Sequence, residues 1–341
     1  MRILITVDPE IPVPPSGYGG IERIVSSLSK EFTKRGHEVY LLANRKSTEE
    51  SASLIFGWKG TSSVRNADIR QNAFQLKAVV KEIKPDVIHS FSRLLYLYPT
   101  LLTTKVPIVQ SYQREISKYS TKLANLIGRK KIQFTACGEH MFAKFKDKKK
   151  WHAIHNFTDT HFFTDDATIP KEYLFWLGRI ENIKGTKEAI HVALETNQKL
   201  IIAGNIEKRH QPYFLNAVKP HLTNPLINYV GLVDDEQKRK WFRGAKAFLF
   251  PIKWEEPFGI VMAESMACGT PVIAFNRGSV NEVVENSVNG YKVDTISEMI
   301  DSIRKIDQID REKVRKDAEK RFSIGFIAGK YLELFEGMIK K

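Results

Sequence analysis

The stretch FPIKWEEPFGIVMAESMACGTPVIAF (250–275) holds the residues best placed for chemistry. It reads as a strand ending at Pro251, a loop carrying Glu255 and Glu256, and a helix that begins near Gly259 and stops at Gly269. Glu256 then lies in the loop and Glu264 about one turn into the helix. A carboxylate accepts paired hydrogen bonds from vicinal hydroxyls. One glutamate could hold a hexose and the other a ribose, with the Phe258, Gly259 and Ile260 amides between them facing phosphate and sugar. Taken singly, Glu264 could be a solvent-facing helix residue and Glu256 a capping acid. Those readings leave the whole string unexplained.

Two more loops are unusual. In GRIENIKG (178–185), Arg179 and Lys184 follow a strand and precede a helix starting near Thr186. Two cations at a helix N-terminus suit a diphosphate, although an ordinary basic loop would look similar. In DPEIPVPPSGYGGIER (8–23), prolines stiffen the chain, and Gly17, Gly19 and Gly20 open backbone amides just before a helix. The spacing does not match the G-x-G-x-x-G dinucleotide fingerprint, and a tight turn would also explain it.

These loops need strands and helices to aim them. RILITV, HEVYLLAN, DVIHSF, PIVQSY, QFTACG and HAIHN read as strands in the first half. YLFWLG, KLIIAG, INYVG, AFLFP and PVIAF read as strands in the second. Amphipathic stretches fall between them. IERIVSSLSKEFTKRG puts Ile21, Ile24, Val25, Leu28 and Phe32 on one face and stops at Gly36. TKEAIHVALETN, QPYFLNAVKPHL and DDEQKRKWFRGA read as helices too, with Asp234-Asp235 capping the last. Alternating strand and helix implies parallel sheets covered on both faces, and two such series imply two doubly wound α/β domains. The 341 residues suit that number. We expect domains at 1–160 and 161–324, with the apolar helix 325–341 packing back on the first. Its apolar residues are Phe326, Tyr331, Leu332, Leu334, Phe335 and Met338.

Composition is globular, and the apolar runs are far shorter than the roughly 20 residues of a spanning helix. MRILITV lacks a full apolar core and a cleavage site, so it reads as a strand and not a signal peptide. Two cysteines, Cys137 and Cys268, fit a reducing compartment, and a cytoplasmic location is expected. The net charge of +14 is lopsided: residues 1–160 carry 26 Lys and Arg against 14 Asp and Glu, and residues 161–341 carry 27 against 25. Basic density peaks in GRKK (128–131) and KFKDKKK (144–150). This points to an anionic partner for the first half, or to a merely solvated face. A peripheral membrane position follows from the first reading. Aromatic residues between the lysines are too few for a nucleic-acid stacking platform, so no nucleic acid is expected.

The three loops together resemble the retaining glycosyltransferases of family 4, which have the GT-B fold of two Rossmann-like domains facing across a cleft. The resemblance covers nearly the whole chain. It is strongest in INYVGLVDDEQ and EPFGIVMAESMACGTPVIAFNRGSVNEVVENSVNGYKV, with support from GGIERIVSSLSKEFTKRGHEV, PDVIHSF, HNFTDTHFF and GRIENIKG. It implies that Glu256 contacts the donor sugar, that Glu264 contacts the ribose, that Arg179 and Lys184 bind the diphosphate, and that Gly19 and Gly20 close over it. Three departures stand out. Gln113 occupies a frequent His position, His89-Ser90-Phe91 keeps one His of an H-x-H pair, and Phe157 replaces a usual Gly. His89 is thereby expected to keep an imidazole near the cleft as a catalytic residue.

The implied function is hexose transfer from a nucleotide-diphosphate sugar, UDP-sugar favoured, to a hydroxyl of a lipid-linked or cell-envelope glycan. No covalent nucleophile is evident, and no D-x-D triplet occurs, so neither metal nor cofactor is expected beyond the nucleotide-sugar co-substrate. An epimerase would need more acids and bases than the loops offer. A nucleotide-sugar binder without turnover is compatible with Gln113. A nicotinamide oxidoreductase is disfavoured by the missing fingerprint.

Overall fold

Short apolar runs bounded by Gly, Pro and polar turns become parallel strands, because strands buried on both faces need continuous apolar sequence and only a few residues of length. The computed structural model describes residues 1–341 apart from Tyr18, Val64, Lys146 and Lys341. It divides into two units, Met1–His155 with Ile324–Lys341, and Asn156–Ser323.

The sheet of the first unit contains β1 (Arg2–Thr6), β2 (Glu38–Ala43), β3 (Leu54–Gly57), β4 (Val87–Ser90), β5 (Ile108–Tyr112), β6 (Ile132–Ala136) and β7 (Trp151–Ala153). Their order is β3-β2-β1-β4-β5-β6-β7, and every pair is parallel. The order reverses between β1 and β4, where such sheets leave a crevice at the strands' carboxyl ends. The helix Gly20–Lys34 buries Ile24, Val25, Leu28 and Phe32. It ends where Arg35 caps it and Gly36 turns left-handed at φ 80°.

The helix Ile324–Ile339 belongs to this first unit. Phe335 sets its ring edge-on to Phe32 at 5.9 Å, and an Arg35 guanidinium nitrogen donates to the Gly325 carbonyl at 2.6 Å. Tyr331, Leu332 and Met338 are buried as the apolar pattern requires, whereas Phe326 is exposed.

The second sheet contains β8 (Tyr173–Leu177), β9 (Lys199–Ala203), β10 (Ile227–Gly231), β11 (Ala245–Phe250), β12 (Val272–Phe275) and β13 (Gly290–Val293). It is parallel throughout in the order β10-β9-β8-β11-β12-β13, with its reversal between β8 and β11. The unit changes at Asn156 instead of residue 161 because this linker is tied into the second unit. The Thr158 amide donates to the Phe322 carbonyl at 2.9 Å, and Arg315 donates to the Thr160 carbonyl at 3.2 Å.

Three further readings are corrected. QPYFLNAVKPHL is broken at Val218 into the helix Gln211–Ala217 and the tighter turn Lys219–Thr223, as Pro220 dictates. β3 and β13 were not expected. Each spans four residues, and the Lys in GYKV blurs its pattern.

The largest correction concerns His89. It sits on β4 beneath the C-terminal helix and is wholly buried. Its ring lies 4.4 Å from Phe91, 4.5 Å from Tyr331 and 5.2 Å from Phe335, centroid to centroid. Nε2 lies 2.8 Å from Ser111 Oγ, and burial pulls its pKa down to about 3. The imidazole is a neutral core group of the first unit, because the helix Ile324–Ile339 covers it.

Candidate active site

The second unit's site is built where β8 and β11 end side by side. β8 runs into Gly178 and Arg179, and Trp176 on that strand reaches back through Nε1 to the Lys184 carbonyl at 3.2 Å. This bond folds 178–184 over the strand end. Gly185 turns left-handed at φ 75°, and a Cβ there would collide with the Pro251 carbonyl. The loops after β8 and β11 are thereby in backbone contact. The Lys253 amide donates to the Ile183 carbonyl at 2.9 Å, and Lys253 Nζ donates to Asn182 Oδ1 at 2.6 Å and Glu188 Oε1 at 2.7 Å.

This stitching delivers Lys184 Nζ to Glu256 Oε2 at 2.6 Å. Trp254 Nε1 donates to the same oxygen at 3.0 Å, and its ring lies 5.0 Å from the ammonium. Both charged groups are partly buried, so the pair is stronger than a surface one. Two residues expected at one site, Lys184 and Glu256, are in direct contact. Arg179 takes other partners. It donates to Glu181 Oε1 at 2.8 Å and to Glu207 Oε1 at 3.2 Å. Burial alone would lower its pKa, but the two carboxylates outweigh that and hold it above the ordinary arginine value. Each phosphate-binding candidate is thus already neutralised by a carboxylate.

The neighbouring glutamate has a different task. Glu255 accepts from the Gly278 amide at 2.8 Å, and the Ser279 amide donates to the Glu256 carbonyl at 2.9 Å. Ser279 Oγ donates to the Phe258 carbonyl at 2.7 Å. The loop after β12 therefore clamps the Glu256 loop from behind. Gly278 stands at φ 55°, and a Cβ there would strike the Glu256 backbone.

Gly259 caps the helix Ile260–Ala267 in a left-handed conformation at φ 71°, with no side-chain cap on its first amides. Phe258 is buried edge-on against Phe322 at 5.6 Å, while Ile260 is half-buried. Glu264 is no solvent-facing helix residue. It is buried, and Oε1 accepts from Lys238 Nζ at 2.9 Å. Oε2 is buried with no hydrogen-bond partner. Its acceptor capacity is therefore unsatisfied within the protein. Burial pulls the Lys238 ammonium down, but Glu264 and Asp235 outweigh it and hold it above the usual lysine value. Lys238 was not foreseen, because its helix reads as a charged surface helix. That helix, Asp235–Arg243, is capped by Asp234 in a reciprocal pair with Gln237, as expected.

Gly19 and Gly20 lie in the first unit, at the carboxyl side of β1. Gly19 is buried, and a Cβ there would meet Pro15 at 2.7 Å and Glu22 Oε2 at 3.1 Å. Nearby, Asp8 Oδ1 accepts from the Arg93 amide at 2.9 Å. Burial pushes the carboxyls of both Asp8 and Glu22 up, against the pull of Arg114 on each. No single-residue signal exposes this cluster, since its members come from four separate loops and helices. Gln113, at the departed His position, accepts from the buried Cys137 thiol at 2.9 Å. Among the described residues, no group of three or more His, Cys, Asp or Glu could hold a metal ion.

Family models match both parts of the chain. Glycosyl transferases group 1 matches residues 129–322, and Glycosyltransferase Family 4 matches residues 18–162. An uncharacterized 42.6 kDa protein of the cps region of Klebsiella pneumoniae is 22% identical, over 95% of this chain and 97% of its own length. Other curated relatives match over less than half of their own length. Among solved structures, a glycosyltransferase from Rickettsia africae ESF-5 aligns with a TM-score of 0.81 at 20% identity, over 100% of this chain and 99% of its own. Anabaena Alr3699/HepE, solved with UDP, aligns at 0.78 and 16%, over 99% of this chain and 100% of its own. At these identities the structural likeness shows the GT-B fold. With more than half of its length matched by the family model, this chain belongs to the glycosyl transferases group 1 and is a glycosyltransferase.

Proposed function

We propose that the enzyme moves a hexose, with retention of configuration, from a nucleotide-diphosphate sugar to a hydroxyl of a lipid-linked or cell-envelope glycan. The observation that carries this reading is the Lys184–Glu256 pair at 2.6 Å beyond the β8–β11 reversal. Glu264 supports it, with one buried oxygen that has no partner. A diphosphate arriving at Lys184 competes with Glu256 for the ammonium. Glu256 is then released to accept hydroxyls of the hexose. Arg179, held by Glu181 and Glu207, is the second cation for the leaving diphosphate. Cations placed where charge develops lower the barrier more than they tighten ground-state binding. In this proposal the leaving phosphate oxygen takes the acceptor proton, and Arg179 and Lys184 do the charge stabilisation without a metal. UDP is the favoured nucleotide, supported by the Anabaena structures with UDP and UDP-glucose.

A panel of UDP-, GDP- and ADP-sugars in thermal shift tests the donor. A cognate donor at 100 times its dissociation constant adds about 2.7 kcal/mol to stability. Donor hydrolysis with nucleotide release then separates an active transferase from a silent binder. If no nucleotide sugar stabilises the protein, the assignment of this site is wrong.

A further inference from the structure

The helix Lys118–Gly128 buries Thr121, Ala124 and Gly128 against the first unit. The opposite stripe, at helical spacing, is Tyr119, Leu123 and Leu126, exposed at 90%, 46% and 74%. A surface helix usually carries polar residues on that side. Leu102, 70% exposed, extends the patch from the adjoining helix Tyr98–Thr103, whose Tyr98 hydroxyl donates to the Ser120 carbonyl at 3.1 Å. The surrounding sequence is nearly free of acid: between Asp86 and Glu139 the only carboxylate is Glu115, while Lys118, Lys122, Arg129 and Lys130 frame the stripe and are exposed.

The structure also sorts the lysines that looked equivalent in sequence. Lys131 Nζ donates to the Leu101 carbonyl at 2.7 Å and the Thr104 carbonyl at 2.8 Å. Lys150 Nζ is spent on Asn125 Oδ1 and the Arg129 carbonyl. Lys146 lies outside the described residues. Within 144–150, Lys144, Lys148 and Lys149 are exposed, whereas Lys150 fixes the end of the striped helix.

We propose that the Tyr119–Leu123–Leu126 stripe, with Leu102 beside it, inserts into the interface of an anionic phospholipid bilayer while the flanking cations engage the headgroups. Apolar residues on one side of a basic helix lie at the acyl boundary, and each Lys or Arg near an anionic leaflet adds attraction. The helix follows β5, so its first turn stands at the carboxyl edge of the first sheet. The proposal deepens the lipid-linked acceptor reading and rests on it for placing that acceptor in a membrane.

The test uses the full chain and vesicles of phosphatidylglycerol and phosphatidylcholine at equal parts, with pure phosphatidylcholine as control. The protein should sediment with the anionic vesicles only. Part of that binding should survive 300 mM salt, because apolar insertion is not screened. Leu123→Glu with Leu126→Glu should lower the partition coefficient at least tenfold, more than Lys148→Ser with Lys149→Ser. Tyr119→Trp should blue-shift on anionic vesicles. Melting temperature and nucleotide-sugar shift, measured in parallel, should be unchanged in each variant. Undiminished binding by the double Glu variant overturns the proposal. So does a concentration-dependent dimer that this variant abolishes, which would make the stripe a contact between copies. Failure to sediment with donor binding intact overturns the membrane surface alone, whereas loss of both would overturn the proposed donor and acceptor reading as well.

Discussion

Replacing His89 by Phe should flatten the acid limb of the stability curve. His89 is buried among Phe91, Tyr331 and Phe335, and its pKa is drawn from 6.5 to about 3 by burial. The unfolded chain therefore takes up a proton at this residue as pH falls through about 6.5, and the folded chain does not do so until about 3. Between those limits the unfolded state binds more protons, so stability rises with pH and is lost on acidification. The slope from one such group approaches about 1.4 kcal/mol per pH unit. Going from pH 7 to 4.5, His89 alone should withdraw roughly 2.5 kcal/mol. Tyr331, pushed up to about 12 by burial, does not titrate in this window. Phe suits the aromatic surroundings, and Ser111 keeps Thr135 at 2.6 Å as a partner. Urea unfolding of wild type and His89→Phe across pH 4.5–7, taken as a difference, cancels the distant carboxylates. A wild-type minus variant difference that stays flat with pH would refute the burial argument. So would an imidazole NMR signal of the folded protein titrating near 6.5. Loss of transfer in a folded His89→Phe enzyme at pH 7 would restore a catalytic part for this residue.

Glu256→Ala should abolish transfer while the protein stays folded, with a lowered melting temperature because Lys184 and the Trp254 indole lose their acceptor; turnover and melting measured together decide it, and full activity would remove Glu256 from the site. Arg179→Ala and Lys184→Ala should each cost on the order of 1.5–3 kcal/mol in transition-state stabilisation, with turnover falling more than donor affinity. Equal losses in the two constants would count against a leaving-group role. Chelator should leave wild-type turnover unchanged, and a strict need for Mg²⁺ or Mn²⁺ would contradict the proposed charge stabilisation. Gly278→Ala should lower both stability and turnover, since φ 55° and the Glu256 backbone leave no room for a methyl group; an unperturbed variant would show that the clamp behind Glu256 is dispensable.

What the sequence determined by itself was local or periodic. Alternating strands and amphipathic helices required parallel sheets covered on both faces, and Glu256, Arg179 and Lys184 stood out as candidates because their loops follow strand ends, where α/β sheets bind ligands, with Glu264 on the helix that comes next. The short strand β13 escaped because four residues with a central lysine carry no period. The break at Val218 was written in Pro220 but read as continuous helix. Only the tertiary structure decided which charges meet. It paired Lys184 with Glu256 across seventy-odd positions and gave Arg179 to Glu181 and Glu207. It set Glu255 to brace Gly278, and sent Lys238 to Glu264 on a different helix. It also buried His89, since strand position alone does not say what covers a strand, and the cover came from a helix more than two hundred residues away. Pairing and burial depend on the sheet's order, and strand order is a property of contacts between distant segments that no local window contains.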